Sequence, residues 1–285
     1  MRTFVLCADD FAITESVSSG ILDLIDCGSL SATSCLVTSK YWLQAAVQLR
    51  SRENRVDVGL HLNLVADDLL KHDPDYTPAL QPYPRHSHLI LSSLLGRLDK
   101  GQIIIEIERQ LDRFVEGWGS LPDFVDGHLH VHQLPVVQDA LTHVYKRRLA
   151  GKNRYVRNVA DIIPTKGGWF KPAIIRALGG RRLREQLEEA GIPHNEVFGG
   201  IYEFNQNANY REMMRAWLRG VGQSGMLMCH PGLAEQTRSD PIGVCRAKEY
   251  EYLRSDAFTR DCEEAGVIPG RFRKTITAGT VSVHG

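Results

Sequence analysis

The chain has 285 residues, 43% of them hydrophobic, and its 34 basic side chains balance 34 acidic ones, giving no net charge with histidine neutral. That balance excludes a global pull towards nucleic acid or anionic lipid, and leaves a small molecule as the expected partner. Six scattered cysteines without a CxxC pair imply reduced thiols rather than a disulfide framework. No stretch is long and apolar enough to form an integral membrane segment. The opening MRTFVLCADD has too short an apolar run for a signal peptide, so a cytoplasmic enzyme is the expectation.

Short β-branched runs alternate with stretches of helical period, the pattern of βα units around a parallel sheet. The first predicted strand, Thr3 to Ala8, ends in Asp9 and Asp10. Helix Glu15 to Cys27 follows, with Val17, Ile21, Leu24 and Ile25 on one face and Gly28 as a stop signal. Strand Ser31 to Val37, helix Tyr41 to Arg52 and strand Val56 to Leu64 come next, the last carrying His61. The stretch Asp67 to His88, rich in proline, histidine and tyrosine, reads as a long loop bordering a cleft. Helix Ile103 to Gly117 precedes strand Phe124 to His130, and helix Val136 to Arg148 precedes strand Tyr155 to Val159. Helix Pro172 to Ala190, strand Val197 to Tyr202, helix Tyr210 to Val221, strand Gly225 to Cys229 and helix Ala247 to Ala265 complete the pattern. Seven such strands suggest one α/β barrel domain over residues 1–270, followed by a weakly patterned tail at 271–285.

Four short stretches carry chemistry. ADDF, Ala8 to Phe11, places two adjacent carboxylates at a strand end, where they repel unless a cation or a proton separates their roles; alone, the pair reads as a turn or helix cap. VGLHLNL puts His61 in an apolar strand, and alone it reads as a hydrogen-bonded core histidine. FVDGHLHVHQLP, drawn as a strand, turns His128, His130 and His132 to one face together with Asp126. Three same-facing histidines are hard to satisfy as neutral core groups, which favours a metal or catalytic role. GMLMCHPG ends an apolar strand in His230. All four sit at predicted strand ends, where barrel active sites gather their residues.

At these residues the sequence resembles the YdjC-like carbohydrate deacetylases, the family of chitooligosaccharide deacetylase and the hopanoid-associated deacetylase HpnK. ADDF, GLHL at Gly59 to Leu62, DGHLHVHQLP at Asp126 to Pro135 and CHPG at Cys229 to Gly232 match in the family's order across most of the chain. The resemblance implies an irregular (β/α) barrel similar to NodB-type deacetylases, with one divalent metal ion, zinc or magnesium. Carried over by motif, the metal ligands are Asp10, His61 and His128. Asp9 is then the general base, Arg157 orients it, and His230 protonates the departing amine. His130 and His132 are expected beside the metal or facing substrate, with Trp169, Phe170, Tyr202 and Phe204 as candidate sugar-facing aromatics. A homodimer is the family-based expectation. Two departures bear on substrate more than on reaction: Ala12 stands where the family continues with glycine, and Asn63, Val65, Asp67 and Asp68 follow GLHL in place of a threonine-rich segment.

The expected reaction is metal-assisted removal of acetyl groups from N-acetylated amino sugars, on an oligosaccharide or a glycolipid. Two alternatives stand beside it. One is a hydrolase of a phosphoester or cyclic amide, for which Asp126 and His130 could serve a second ion. The other is a non-catalytic carbohydrate-binding module, which would need neither Asp9 nor His230.

Overall fold

The computed structural model describes residues 1–151, 153–164, 176–234 and 240–272. Among the described residues eight strands are present: β1 (Arg2–Phe11), β2 (Ala32–Cys35), β3 (Asp57–Leu62), β4 (Phe124–Gly127), β5 (Tyr155–Val156), β6 (Phe198–Gly199), β7 (Met226–Cys229) and β8 (Val267–Pro269). They form one parallel sheet in the order β5-β4-β3-β2-β1-β7-β6, with β8 added to β1. Among the described residues the edge strands β5 and β6 are not paired with each other, so the sheet curls into an incomplete barrel.

The connecting helices are α1 (Glu15–Asp26), α2 (Trp42–Arg50), α3 (His86–Leu94), α4 (Lys100–Trp118), α5 (Val137–Val144), α6 (Arg181–Glu189), α7 (Tyr210–Gly220), α8 (Gly243–Leu253) and α9 (Asp256–Ala265). Their ends follow local chemistry. Asp99 caps α4 by accepting the N–H groups of Gly101 and Gln102, and Gly119 ends it in the left-handed region, φ 91°. Ile103, Ile107, Leu111 and Phe114 form its buried stripe. Among the described residues no helix is long and apolar enough to cross a membrane.

Three expectations change here. The stretch read as one loop at Asp67 to His88 runs into α3, whose helical period begins inside a proline-rich segment. The single helix expected over Ala247 to Ala265 is two, because Ser255 takes an extended conformation between them. Arg271 and Phe272, placed with the tail by sequence, belong to the body: Phe272 stacks on Tyr155 at 4.1 Å, and its N–H donates to Asp57 at 2.8 Å. Residues 273–285 lie outside the described part.

Strand alternation sorts the side chains into two layers. Phe4, Leu6 and Ala8 of β1 join Val58, Leu60, Val125 and Leu227 in the core beneath the helices. Val5 and Cys7 face the barrel interior with Phe124, Tyr155, Phe198, Met226 and Met228. Gly59 is required on that inner face, since a Cβ there would meet the Phe124 ring at 2.4 Å. Continuing the same alternation towards the strand ends gives Asp9 after Cys7, His61 after Gly59, Asp126 after Phe124, Arg157 after Tyr155 and His230 after Met228. An apolar floor thus carries a charged upper tier at the carboxyl end of the barrel.

Candidate active site

Asp9 and Asp10 are neighbours in sequence, and alternation would turn them apart. Asp10 instead takes a left-handed conformation, φ 66°, and both carboxylates line the same cavity. Ala12, at φ 73°, adopts the backbone that glycine would take without strain. Its N–H is held by Ser18 Oγ at 3.1 Å.

Arg157, fully buried, donates to both oxygens of Asp9 at 2.6 Å, and its Nη2 lies 2.6 Å from Asp126 Oδ2. Burial alone would raise the Asp9 carboxyl, but the Arg157 charge and hydrogen bonds outweigh it and hold Asp9 well below the usual carboxylate range. Asp9 is therefore ionised and fixed in direction.

The histidine-rich stretch does not continue as a strand. β4 stops at Gly127, and His128–Gln133 form a tight helical turn in which Leu129 (φ 52°) and His130 (φ 59°) are left-handed. The three histidines consequently face different surroundings. His128 turns towards Asp10. His130 lines the cavity and meets Phe198 edge-on at 5.8 Å. His132, expected to face metal or substrate, is fully buried beneath the turn, packs on Gly127 and donates Nε2–H to the Arg157 carbonyl at 3.1 Å. Burial pushes His132 down to about 4, so it stays neutral.

Asp10, His61 and His128 present ligand atoms within 4.8 Å of one another, all buried. Asp10 Oδ1 lies 3.1 Å from His128 Nδ1 and 3.4 Å from His61 Nε2. Burial would lower both imidazoles. For His61 the Asp126 charge and the hydrogen bonds to Asp10 and Asp126 prevail and raise it to about 10, and for His128 hydrogen bonds to Asp10 and Asp67 raise it. The pocket attracts positive charge, and one carboxylate with two imidazoles suits a divalent ion.

Supporting residues that sequence reasoning missed surround this set. Ser34 donates to Asp126 and lies 3.0 Å from His61 Nδ1. Asp67, from the loop after β3, accepts from His128 Nε2 at 2.9 Å. Arg246 of α8 donates Nη2–H to Asp10 Oδ2 and Nε–H to Asp240, both at 2.8 Å. No motif marks any of them: strand β2 delivers Ser34, the loop after β3 delivers Asp67, and a distant helix delivers Arg246. A second ion at Asp126 and His130 has no such support. Among the described residues the other close donor group is Cys7, Asp9 and Asp126, and the Arg157 guanidinium already stands between its two carboxylates.

The cavity above this tier has a volume of about 510 Å³. His230 enters from the β7 end with Nε2 4.0 Å from Asp9 Oδ2, and burial pushes it down to about 4. Its backbone N–H donates to Glu249 at 2.5 Å, and the Tyr202 hydroxyl takes the other oxygen of that carboxylate at 2.5 Å. Tyr202 and Phe204 line the cavity, while Trp169 and Phe170 lie outside the described residues.

The profile of the YdjC-like protein family matches residues 3–264. The chain belongs to that family. Among its YdjC-like relatives, a carbohydrate deacetylase of Enterococcus faecalis (strain V583) is 24% identical over 94% of this chain and 95% of its own length. A chitooligosaccharide deacetylase of Yersinia pestis (strain Pestoides F) is 29% identical over 95% and 98%. In fold, this YdjC-like chain is similar to a candidate cellobiose-phosphate cleavage protein of Enterococcus faecalis V583 (TM-score 0.72, 19% identity, 96% of this chain and 98% of that one). It is also similar to a family 4 acetyl xylan esterase of Clostridium thermocellum, solved with a cobalt ion (TM-score 0.50, 11% identity, 98% and 93%). These similarities bear out the expected family and the irregular barrel.

Proposed function

We propose that this protein is a metal-dependent carbohydrate N-deacetylase, hydrolysing the acetamide of N-acetylated amino sugars. The observation that carries the reading is the meeting of two functions on one dipeptide: Asp10 joins His61 and His128 as a ligand set, while Asp9 beside it is locked ionised by Arg157. The names of the Enterococcus and Yersinia relatives support the same chemistry.

Asp10, His61 and His128 would hold a divalent ion, which when bound would supply Lewis-acid polarisation of the acetamide carbonyl and acidification of water. Two imidazole donors favour zinc over magnesium. Asp9 takes a proton from the attacking water as its oxygen bonds to the carbonyl carbon. The C–N bond then breaks, and the amine nitrogen needs a proton to leave. His230 starts neutral, so the proton reaches it from Asp9, 4.0 Å away, after a small side-chain shift. It passes from His230 to nitrogen, and acetate and the free amine are the products. Arg157 keeps Asp9 pointed throughout.

The test is acetate release from N-acetylglucosamine and its oligomers by protein of measured metal content, followed alongside free amine. Equal appearance of both supports the reading. Phosphate release from phosphoesters with no acetate at the same metal loading would replace it.

A further inference from the structure

We infer that Asp67 is a positioning residue for the proposed metal: it holds a proton on His128 Nε2, so that His128 offers the ion Nδ1 while His61 offers Nε2. This rests on the ligand set proposed above and adds to it which atom of each imidazole serves and what fixes the choice.

A neutral imidazole carries its proton on one nitrogen, and only the other has a lone pair for a cation. At His128 both nitrogens face a carboxylate: Nδ1 lies 3.1 Å from Asp10 Oδ1, and Nε2 lies 2.9 Å from Asp67 Oδ2. Asp10 Oδ1 is also the atom that His61 faces, through Nε2 at 3.4 Å. His128 Nδ1 and His61 Nε2 therefore converge on one place, and the two rings stand edge to face, with centroids 5.4 Å apart and planes at 70°. The Nε2 proton of His128 is left to Asp67. His61 has the complementary arrangement, its Nδ1 on Asp126 at 2.7 Å. Each histidine thus has a carboxylate of its own on the nitrogen turned away from the shared aspartate, which is how metal-bound imidazoles are held.

The loop around Asp67 is built to keep that carboxylate in place. Its Oδ1 accepts the Leu69 N–H at 2.8 Å, a local turn that aims Oδ2 at the ring. One residue earlier, the Ala66 N–H donates to the Pro84 carbonyl at 3.0 Å and ties the two ends of the loop together. Below them Asn63 exchanges two hydrogen bonds with Gln110 of α4, at 3.0 and 2.6 Å, which anchors the stem to a helix. Asp126 comes from a strand of the barrel, whereas Asp67 stands in the stretch after GLHL where this chain departs from the family's pattern. Half of the support for the ligand set is thus this chain's own. A carboxylate that served only the turn would be replaceable by any residue that makes the same turn, and that difference is open to measurement.

Asp67→Asn makes the same turn through its amide oxygen but turns an N–H towards His128, and a donor is no partner for Nε2–H. Zinc affinity of the metal-free protein, read by calorimetry, is expected to fall about 10- to 100-fold in Asp67→Asn and in Asp67→Ala. Asp68→Asn, which removes the same charge one residue on, should bind as the parent does. Calorimetry separates affinity from stoichiometry, so a misfolded fraction does not imitate the effect. In parent protein loaded with spin-active cadmium and isotope-labelled histidine, couplings between the ion and ring nitrogens should name one Nδ1 and one Nε2. Any other pair of nitrogens, parent-like zinc affinity in both Asp67 variants, or an equal loss in Asp68→Asn overturns the inference and leaves the metal site standing. Parent protein that binds neither ion overturns the ligand set, and the inference with it. Acetate release enters none of these readouts, so the deacetylase reading stands or falls separately.

Discussion

His61 meets Asp126 through Nδ1 at 2.7 Å, which leaves Nε2 on the opposite edge of the ring facing Asp10 at 3.4 Å. The carboxylate fixes which nitrogen keeps its proton, and a metal-binding imidazole depends on that choice. Asp126→Asn is therefore expected to weaken divalent metal binding by about 10- to 100-fold. His61→Ala or His128→Ala should abolish stoichiometric binding. Titration of metal-free protein with zinc, read by calorimetry, checks both. Full stoichiometric metal in the two alanine variants would place the ion elsewhere.

Asp9→Asn keeps the side chain's size but cannot take the water's proton. Turnover should fall by at least about a hundredfold while metal content, measured on the same sample, stays at the parent level. Loss of metal together with activity would make Asp9 a ligand.

His230→Ala should slow amide hydrolysis far more than hydrolysis of an activated ester, whose leaving group needs no proton. The quantity to compare is the ratio of the two rates in parent and variant. An equal loss on both substrates would assign His230 to positioning and shift the acid to another histidine at the cavity.

Glu249 should make stability depend on pH. Burial raises its carboxyl from the ordinary 4.5 to about 7, against the opposing hydrogen bonds from Tyr202 and the His230 N–H. Between those values the unfolded chain has released a proton that the folded chain still holds, so this contribution is complete below about 4.5 and is lost as pH rises through 7. Its size is on the order of 3 kcal/mol. Glu249→Gln cannot ionise, and urea midpoints between pH 5 and 8 should vary less in that variant than in the parent. Identical slopes would show that the folded carboxyl ionises near its ordinary value.

Much of this was legible in the sequence, and the reason is periodicity. β1, β3 and β7 announced themselves as apolar runs, and the polar residues at their ends, Asp9, Asp10, His61 and His230, stood out against them. The histidine-rich stretch misled because alternation assumes an extended backbone, whereas Leu129 and His130 are non-glycine residues at positive φ, which no pattern of side-chain type reveals. Asp67, noticed only as a departure from the family pattern, and Arg246 could not be given their partners for another reason. They reach His128 and Asp10 across 61 and 236 positions of chain, and a lone charge in a loop or on a helix reads as solvated until folding supplies its partner.

Arg157 is shared: one guanidinium serves Asp9, and through Asp126 it also touches the residue that steadies His61. Under the proposed reaction, protonation of Asp9 and occupancy of the proposed metal site would be two ligand equilibria joined by a common cation, and their coupling free energy must be the same read from either end. Whatever factor the bound ion applies to the proton affinity of Asp9, a proton on Asp9 applies to the affinity for the ion. Inhibition at low pH then carries a second signature, release of metal, whose midpoint moves with free metal concentration where a simple loss of base would stand still.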